Sequence, residues 1–160
     1  MTPRKPISND AALARLESLC ARAEHCSFEL LAKLRNWGIK PDDADRIINH
    51  LIDNKFVDDL RFAQAFVRDR YRFSAFGRRK IILALRAKRI PSDTIDAALQ
   101  EIDPDIYFDN LLLLVRRKAA NLDLTTFDDR NKLYRYALSR GYESDIAVRA
   151  IKTCIADQRL

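Results

Sequence analysis

The residues best suited to a chemical role are cations clustered between Arg68 and Arg89. This segment contains nine lysines and arginines and one acid, Asp69, which gives it a formal charge of +8. The whole 160-residue chain carries only +6, so the remaining residues are acidic on balance. Ion pairs between successive helical turns cannot neutralise such an imbalance. A local excess of positive charge is typical of a surface that binds a polyanion, most often a nucleic-acid phosphate backbone.

Residue types that support catalysis or metal binding are sparse. The sequence contains no glycine-rich phosphate-binding loop, and its two histidines, His25 and His50, lie in no nucleophile motif. Cys20, His25 and Cys26 are close in sequence, but their spacing matches no standard zinc pattern. Acidic pairs stand at predicted helix starts, where the helix dipole stabilises a carboxylate. The sequence therefore predicts a protein without catalytic activity, metal or cofactor.

Composition and the N-terminus restrict the compartment. No run of about 18 apolar residues is present, so no membrane-spanning helix is expected. The first ten residues, MTPRKPISND, lack the apolar stretch of a signal peptide. The three cysteines are odd in number and irregularly spaced, which argues against a disulfide framework. A cytoplasmic protein is predicted.

The elements that position the cations are predicted to be helices. Apolar residues recur at intervals of three and four, and hairpin turn signals are missing. Three junctions that end a second helix, at Gly38, Arg89 and Gly141, lie 51 and 52 residues apart. A fixed period of this size is typical of tandem repeats with shared hydrophobic interfaces. We predict an all-α, elongated and curved monomer of three helix-turn-helix-like repeats. The predicted segments are a flexible arm at 1–9 and repeats at 10–55, 56–103 and 104–160.

Single residues predict where some of these helices begin and end. Asp10 and Ser27 are candidate N-caps, since their side-chain oxygens can accept from free N–H groups of the first turn. Pro41 suits a first helical turn because its φ angle is fixed. Gly38 can end the second helix in the left-handed conformation.

Helical phase separates the cations of the central segment. Arg61, Arg68 and Arg72 fall on one side of the fourth helix, opposite its apolar residues, and are predicted to form an exposed stripe. Arg70 falls on the apolar side, so we predict that it meets a carboxylate or helix-end carbonyls. On the fifth helix, Arg79 and Arg86 stack two turns apart on one flank, and further cations lie on other flanks.

The central segment resembles the most characteristic part of the RecX family, the modulators of the RecA recombinase. The similarity lies in Val57-Asp58-Asp59-Leu60-Arg61-Phe62-Ala63, in Phe66-Val67-Arg68-Asp69-Arg70 and in Gly77-Arg78-Arg79-Lys80-Ile81. Segments 27–38 and 138–142 are similar to other parts of the family pattern. The resemblance implies three tandem three-helix repeats, in agreement with the helices predicted above.

The resemblance also implies a function. A RecX-like protein would lie in the groove of the RecA–single-strand DNA filament and negatively modulate recombinase, ATPase and coprotease activity. It would contact DNA, single- or double-stranded, only weakly by itself. The predicted contact residues are the exposed and flanking cations of the central segment. They are Arg61, Arg68, Arg72, Arg78, Arg79, Lys80, Arg86, Lys88 and Arg89.

Two alternatives remain open from the sequence. A stand-alone DNA-binding helical repeat protein without sequence specificity and without RecA would carry a similar basic surface. A second cluster, Arg116-Arg117-Lys118, lies near a helix C-terminus, where cations either stabilise the helix dipole or bind a partner. The chain also departs from the family in two places: its loop before Gly77, Phe73-Ser74-Ala75-Phe76, is apolar, and Arg89 replaces a helix-ending glycine. Phe76 is therefore expected to pack or stack, and the helix end at Arg89 to be non-standard.

Overall fold

The computed structural model describes residues 6–159 as nine α-helices, with no strand among the described residues. The predicted all-α class is confirmed. The helices are α1 (Asn9–Arg22), α2 (Ser27–Asn36), α3 (Pro41–Asp53), α4 (Asp59–Arg72), α5 (Arg78–Ala87), α6 (Ser92–Leu99), α7 (Pro104–Ala119), α8 (Phe127–Ser139) and α9 (Ser144–Gln158).

The helix starts show where local sequence signals were sufficient. Pro41 occupies the first turn of α3, as predicted. The N-cap of α1 is Ser8 and not Asp10, because the Ser8 hydroxyl accepts from the Ala11 N–H at 3.1 Å. The predicted arm is therefore too long by one residue, since Asn9 already belongs to α1. Its first five residues lie outside the described part of the chain.

The start of α2 depends on a residue distant in sequence. Ser27 is the first residue of this helix and not its N-cap, which is Cys26. Cys26 makes no side-chain capping bond. Instead the Asp59 carboxylate, which lies 32 residues further along the chain, accepts from the Ser27 N–H at 2.8 Å. A contact between residues distant in sequence thus satisfies the N–H of Ser27 at the start of α2, where the sequence predicted a local N-cap.

The chain divides into two compact units, and these do not coincide with the predicted repeats. Unit 1 comprises the described residues of Met1–Ala65 together with Ala87–Ala98, and unit 2 comprises Phe66–Arg86 and Leu99–Leu160. Both units therefore take residues from the second predicted repeat. The three-repeat division stays a prediction.

Unit 1 is built on a hydrophobic core from its first three helices. Buried side chains of α1, α2 and α3 form one cluster that includes Leu16, Leu30, Leu34 and Leu51. The core follows the three-and-four spacing that predicted these helices. Burying one such leucine stabilises the fold by about 2 kcal/mol.

Unit 2 is built mainly on α7, α8 and α9, which pack against one another. Three tyrosines, Tyr71, Tyr107 and Tyr142, are its largest fully buried side chains. The rings of Tyr107 and Tyr142 lie 4.8 Å apart at an interplanar angle of 39°. Each buried tyrosine needs a partner for its hydroxyl group, and those partners organise the candidate site.

Left-handed backbone occurs at the three predicted helix ends. Gly38 has a φ of 79° and Gly141 a φ of 92°, as expected for glycine at a helix C-terminus. Arg89 adopts the same region with a φ of 59°, which confirms that this helix ends without the usual glycine. A side chain in this conformation costs about 1 kcal/mol, so the contacts of Arg89 must offset a local strain.

No helix in the described residues is both long and apolar enough to cross a membrane. Within the same residues, histidine, cysteine, aspartate and glutamate side chains form no group of three that could hold a metal ion. Cys20 and Cys26 are free thiols, and burial raises the pKa of each above its usual value. Packed, protonated thiols are the interpretation that these surroundings support.

Candidate functional site

The start of α5 is fixed in unit 2 by the turn between α8 and α9. Gly77 N–H donates to the Arg140 carbonyl at 2.8 Å, and Arg79 N–H donates to the Gly141 carbonyl at 3.0 Å. A Cβ atom on Gly77 would lie 2.1 Å from the Gly141 backbone carbon. This approach therefore requires glycine, and it sets the direction in which α5 presents its cations.

The half-buried Glu143 carboxylate adds a second anchor at the same place. Glu143 accepts from the Tyr107 hydroxyl at 2.7 Å and forms an ion pair with Arg78 at 3.1 Å. The Tyr107 hydroxyl in turn accepts from the Arg78 backbone N–H at 2.9 Å. Burial, and then the hydrogen bond to Glu143, raises the pKa of Tyr107 well above its usual value. Arg78, a predicted contact residue, thus anchors the start of α5 through its ion pair with Glu143.

The apolar loop between α4 and α5 is also held at several points. Arg140 donates to the Ser74 carbonyl at 2.5 Å, and the Tyr142 hydroxyl donates to the Ala75 carbonyl at 2.9 Å. Phe76 lies beneath two cations, with the Lys80 ammonium 4.3 Å and the Arg140 guanidinium 5.5 Å from its ring centroid. Phe76 therefore packs and stacks, as predicted, and Lys80 is engaged on its ring.

Phe73, in the same loop, has the opposite environment. Its side chain is 84% exposed, the largest value among the large apolar side chains of the described residues. Its backbone N–H still donates to the Asp69 carbonyl at 2.9 Å, which continues the hydrogen bonding of α4. Phe73 is thus displayed from an ordered helix end.

The outward side of α5 carries two of the predicted contact residues. Arg79 and Arg86 are exposed, and Leu83 lies between them with 65% of its side chain accessible. Ile81 and Leu85 are buried on the opposite side, in agreement with the predicted phase. Arg79 and Arg86 form no ion pair within the part of the chain that the structure describes.

The cations of α4 that belong to unit 2 have three different environments. Arg68 pairs with Glu101 at 3.3 Å. Arg72 is exposed, and its Nε donates to the Tyr71 hydroxyl at 3.1 Å. It forms no ion pair in the described residues, although Asp103 and Glu101 lie close enough to act on its charge. Arg70 is half-buried, but its guanidinium lies 4.7 Å from the Phe66 ring centroid and forms no ion pair there. The inward phase of Arg70 was predicted, but the predicted carboxylate or carbonyl partner is wrong, because the guanidinium lies over the Phe66 ring instead.

Two of the three predicted contact residues in unit 1 are paired with acids. Arg61 is half-buried, pairs with Glu24 at 2.6 Å and donates to the Lys55 carbonyl at 3.1 Å. The predicted exposed stripe is therefore wrong for Arg61, because a carboxylate and a carbonyl from outside the helix surround it. Lys88 pairs with Glu29, and Arg89 lies 5.8 Å from the Phe28 ring centroid.

In the second basic cluster, Arg116 pairs with Asp157 and Lys118 lies 5.4 Å from the Tyr136 ring centroid. These contacts favour a structural role for two of the three cations, while Arg117 is exposed. The residues that sequence reasoning missed are Phe73 and the partner carboxylates Glu24, Glu29, Glu101 and Glu143. Residue spacing gives no signal for such partners, since each lies more than 30 residues from its cation.

Of the nine predicted contact residues, four combine exposure with the absence of an ion pair in the described chain. Arg72, Arg79 and Arg86 belong to unit 2, and Arg89 belongs to unit 1. Guanidinium groups in this state can bind phosphate or carboxylate oxygens through paired N–H donors. The arrangement suits anion binding and offers no nucleophile–base pair.

Comparisons with known proteins agree on one family. The model of the RecX second three-helix domain matches residues 58–99, and that of the RecX third three-helix domain matches residues 105–151. The regulatory protein RecX of Xanthomonas axonopodis pv. citri is 35% identical over 131 residues, which cover 82% of this chain and 80% of the relative. The regulatory protein RecX of Clostridium botulinum is 33% identical over 126 residues, which are 77% of this chain. The match spans 58% of that relative's length.

A solved structure shares the fold. The crystal structure of RecX from Lactobacillus salivarius matches with a TM-score of 0.84, covering 92% of this chain and 97% of the other. Its 23% sequence identity limits that comparison to the fold. Two domain models together match more than half of the residues, and one relative is 35% identical over four-fifths of its length. The chain therefore belongs to the RecX family of regulatory proteins.

Proposed function

We propose that this protein binds the RecA–DNA filament in its helical groove and negatively modulates RecA recombinase, ATPase and coprotease activity. It does so in the cytoplasm, during DNA repair, recombination and the SOS response, without catalysing a reaction itself. Membership in a family of regulatory proteins supports this proposal. The contact with the filament is electrostatic and independent of base sequence.

The observation that carries the proposal is the state of Arg72, Arg79 and Arg86. These guanidinium groups are exposed and lack acid partners in the described residues. A cation that already pairs with a carboxylate must break that pair to bind phosphate, whereas an unpaired cation exchanges only water and counterions. The three arginines are therefore the main contacts, whereas Arg61, Arg68, Arg78 and Lys88 already hold acid partners.

The anchors of α5 give these contacts a fixed geometry. Gly77, Arg78 and Arg79 are all bound through their backbone N–H groups by residues of α7 or the α8–α9 turn. The Tyr71 hydroxyl similarly restrains the guanidinium of Arg72. Groups held in place before binding lose less conformational entropy on association. The buried tyrosines and the closely packed glycines thus position the three surface arginines.

A competition experiment tests this proposal against the stand-alone DNA-binding alternative. Labelled protein is mixed with preformed RecA–single-strand DNA filaments at physiological salt, and bound protein is measured by co-sedimentation. We expect binding to filaments to exceed binding to the same DNA without RecA, and naked duplex to compete poorly. Full competition by naked duplex, with no gain from RecA, would contradict the proposal and favour the alternative.

A further inference from the structure

We propose that Phe73 is a base-stacking residue, which gives this protein a preference for unpaired bases of single-stranded nucleic acid over duplex. The inference deepens the proposed function, and it rests on that function for its biological setting. Its test uses naked oligonucleotides, so its failure can be told apart from failure of the RecA proposal.

The first ground is that Phe73 is displayed by rigid structure. At 84% exposure its ring makes little contact with the protein. Its backbone is nevertheless fixed by the bond to the Asp69 carbonyl, and the next two residues are held through their carbonyls by Arg140 and Tyr142. The backbone that carries the ring is therefore fixed, while the ring itself is accessible for stacking.

The second ground is the charge around the ring. Arg72, the preceding residue, is exposed and restrained by the Tyr71 hydroxyl. Asp69 is the one acid in the sequence between Arg68 and Ser92, although Glu101 and Asp103 lie close enough to Arg72 to act on its charge. An aromatic ring that follows an exposed arginine without an ion pair matches a strand in which every nucleotide supplies a phosphate and an aromatic face.

The third ground is the contrast with the other aromatic residues nearby and elsewhere. Phe76, three residues after Phe73, is half-buried beneath Lys80 and Arg140. The same loop therefore covers one phenylalanine ring and leaves the other exposed. Phe127, at the start of α8, is 74% exposed but stands directly before Asp128 and Asp129. Carboxylates directly beside Phe127 repel phosphates, whereas the acid nearest to Phe73 in sequence, Asp69, lies one helical turn away, so nucleic-acid binding is predicted at Phe73 rather than at Phe127.

Stacking would also give strand selectivity. In a duplex the faces of interior bases are already covered by neighbouring bases, and an added ring must first unstack them. In a single strand the faces are accessible to an aromatic side chain. Phosphate contacts alone would not distinguish the two forms in this way.

The experiment compares fluorescently labelled oligothymidylate with an abasic strand of the same length and charge, by fluorescence anisotropy. We expect the wild type to bind the thymidylate about tenfold more tightly than the abasic strand, the effect of about one stacked base. Phe73→Ala should bind both strands equally, at the wild-type affinity for the abasic strand. Phe73→Trp should retain the preference, and Phe127→Ala should behave as the wild type.

Three results would overturn the proposal. If Phe73→Ala keeps the wild-type preference for bases over the abasic strand, Phe73 does not stack. If Phe73→Leu keeps it, the contact is apolar without an aromatic requirement. A variant Trp37→Phe/Phe73→Trp gives a direct readout, since its only tryptophan fluorescence should be quenched by thymidylate and not by the abasic strand. Absence of that difference would also contradict stacking.

Discussion

The basic residues of the two compact units differ in what surrounds them. In unit 1, Arg61 and Lys88 meet carboxylates of Glu24 and Glu29, and Arg89 is the one predicted contact residue that is exposed without an ion pair in the described residues. In unit 2, Arg72, Arg79 and Arg86 are exposed without acid partners in the described residues. Unit 2 also contains paired cations, Arg68 and Arg78, but three of its exposed contact residues stay unpaired against one in unit 1. Charge counts locate the region, but pairing decides which residues in it can bind.

The same contrast holds for the glycines that end the second and eighth helices. Gly38 in unit 1 and Gly141 in unit 2 are both left-handed, but only Gly141 is crowded. A Cβ atom at Gly141 would lie 2.5 Å from the Lys80 Cβ atom and 2.7 Å from its backbone nitrogen. At Gly38 the nearest atom would be the Pro6 Cβ, at an ordinary 3.7 Å.

The largest predicted effect follows from this crowding. We expect Gly141→Ala to lower the free energy of unfolding by about 3 kcal/mol, from backbone strain and overpacking together. Gly38→Ala should lower it by about 1 kcal/mol, from strain alone. Urea unfolding followed by circular dichroism measures both. Equal losses would show that the contact between α5 and the α8–α9 turn is not tight.

The next effect sharpens the distinction between paired and unpaired cations. We expect Arg61→Ala to cost about 2 kcal/mol, because one Glu24 oxygen is already buried without a partner and the other would lose its own. Arg79→Ala should change stability by less than about 0.5 kcal/mol. Thermal unfolding of the two variants checks this. If Arg79→Ala is as destabilising as Arg61→Ala, the distinction between paired and unpaired cations is wrong.

A smaller effect concerns pH and belongs to unit 2. The pKa of Tyr107 is raised in the fold, so its contribution to stability is complete below the unfolded pKa, about 10, and declines as pH rises beyond it. We expect Tyr107→Phe to lose about 1 kcal/mol at neutral pH, since Glu143 and the Arg78 N–H lose a partner. Between pH 9 and 11 its stability should fall less steeply than that of the wild type, as about one fewer group titrates. Urea unfolding measures the free energy of unfolding at each pH. Parallel plots of this free energy against pH for the variant and the wild type would contradict this role of Tyr107.

The smallest predicted effect separates two arginines of α4. Arg70→Ala should cost about 1 kcal/mol, because the half-buried guanidinium lies over the Phe66 ring. Arg68→Ala should cost about 0.5 kcal/mol or less, since its pair with Glu101 is solvent-exposed. Thermal unfolding of both variants would show the order. A reversed order would mean that the exposed pair is the stronger contact.

Much of the fold could be predicted because the signals are local. Apolar spacing gave the helices, and Pro41, Gly38 and Gly141 act within a turn of their own positions. The inward phase of Arg70 follows from the same 3.6-residue period. The start of α2 could not be predicted correctly, since its capping carboxylate comes from Asp59, 32 residues away.

The candidate site could be predicted only as a region. The partners of Arg61 and Arg78 are brought together by packing across 37 and 65 residues, and no periodicity encodes them. The exposure of Phe73 depends on the bonds that Arg140 and Tyr142 make to the loop. Sequence alone therefore could not separate the three unpaired arginines from their paired neighbours.

The most direct test of this account is RecA-dependent ATP hydrolysis on single-stranded DNA with substoichiometric amounts of this protein. Two triple variants with the same change in net charge are compared with the wild type. The first replaces Arg72, Arg79 and Arg86 with glutamate. The second replaces three exposed cations on other helices of unit 2, Arg117, Arg135 and Lys152.

We predict that the wild type and the second variant inhibit hydrolysis alike, and that the first variant does not inhibit it. Circular dichroism should show all three equally helical and equally stable, because exposed charges contribute little to stability. Inhibition by the first variant at the wild-type level, or an equal loss in both variants, would contradict the claim that unpaired cations at these three positions carry the function.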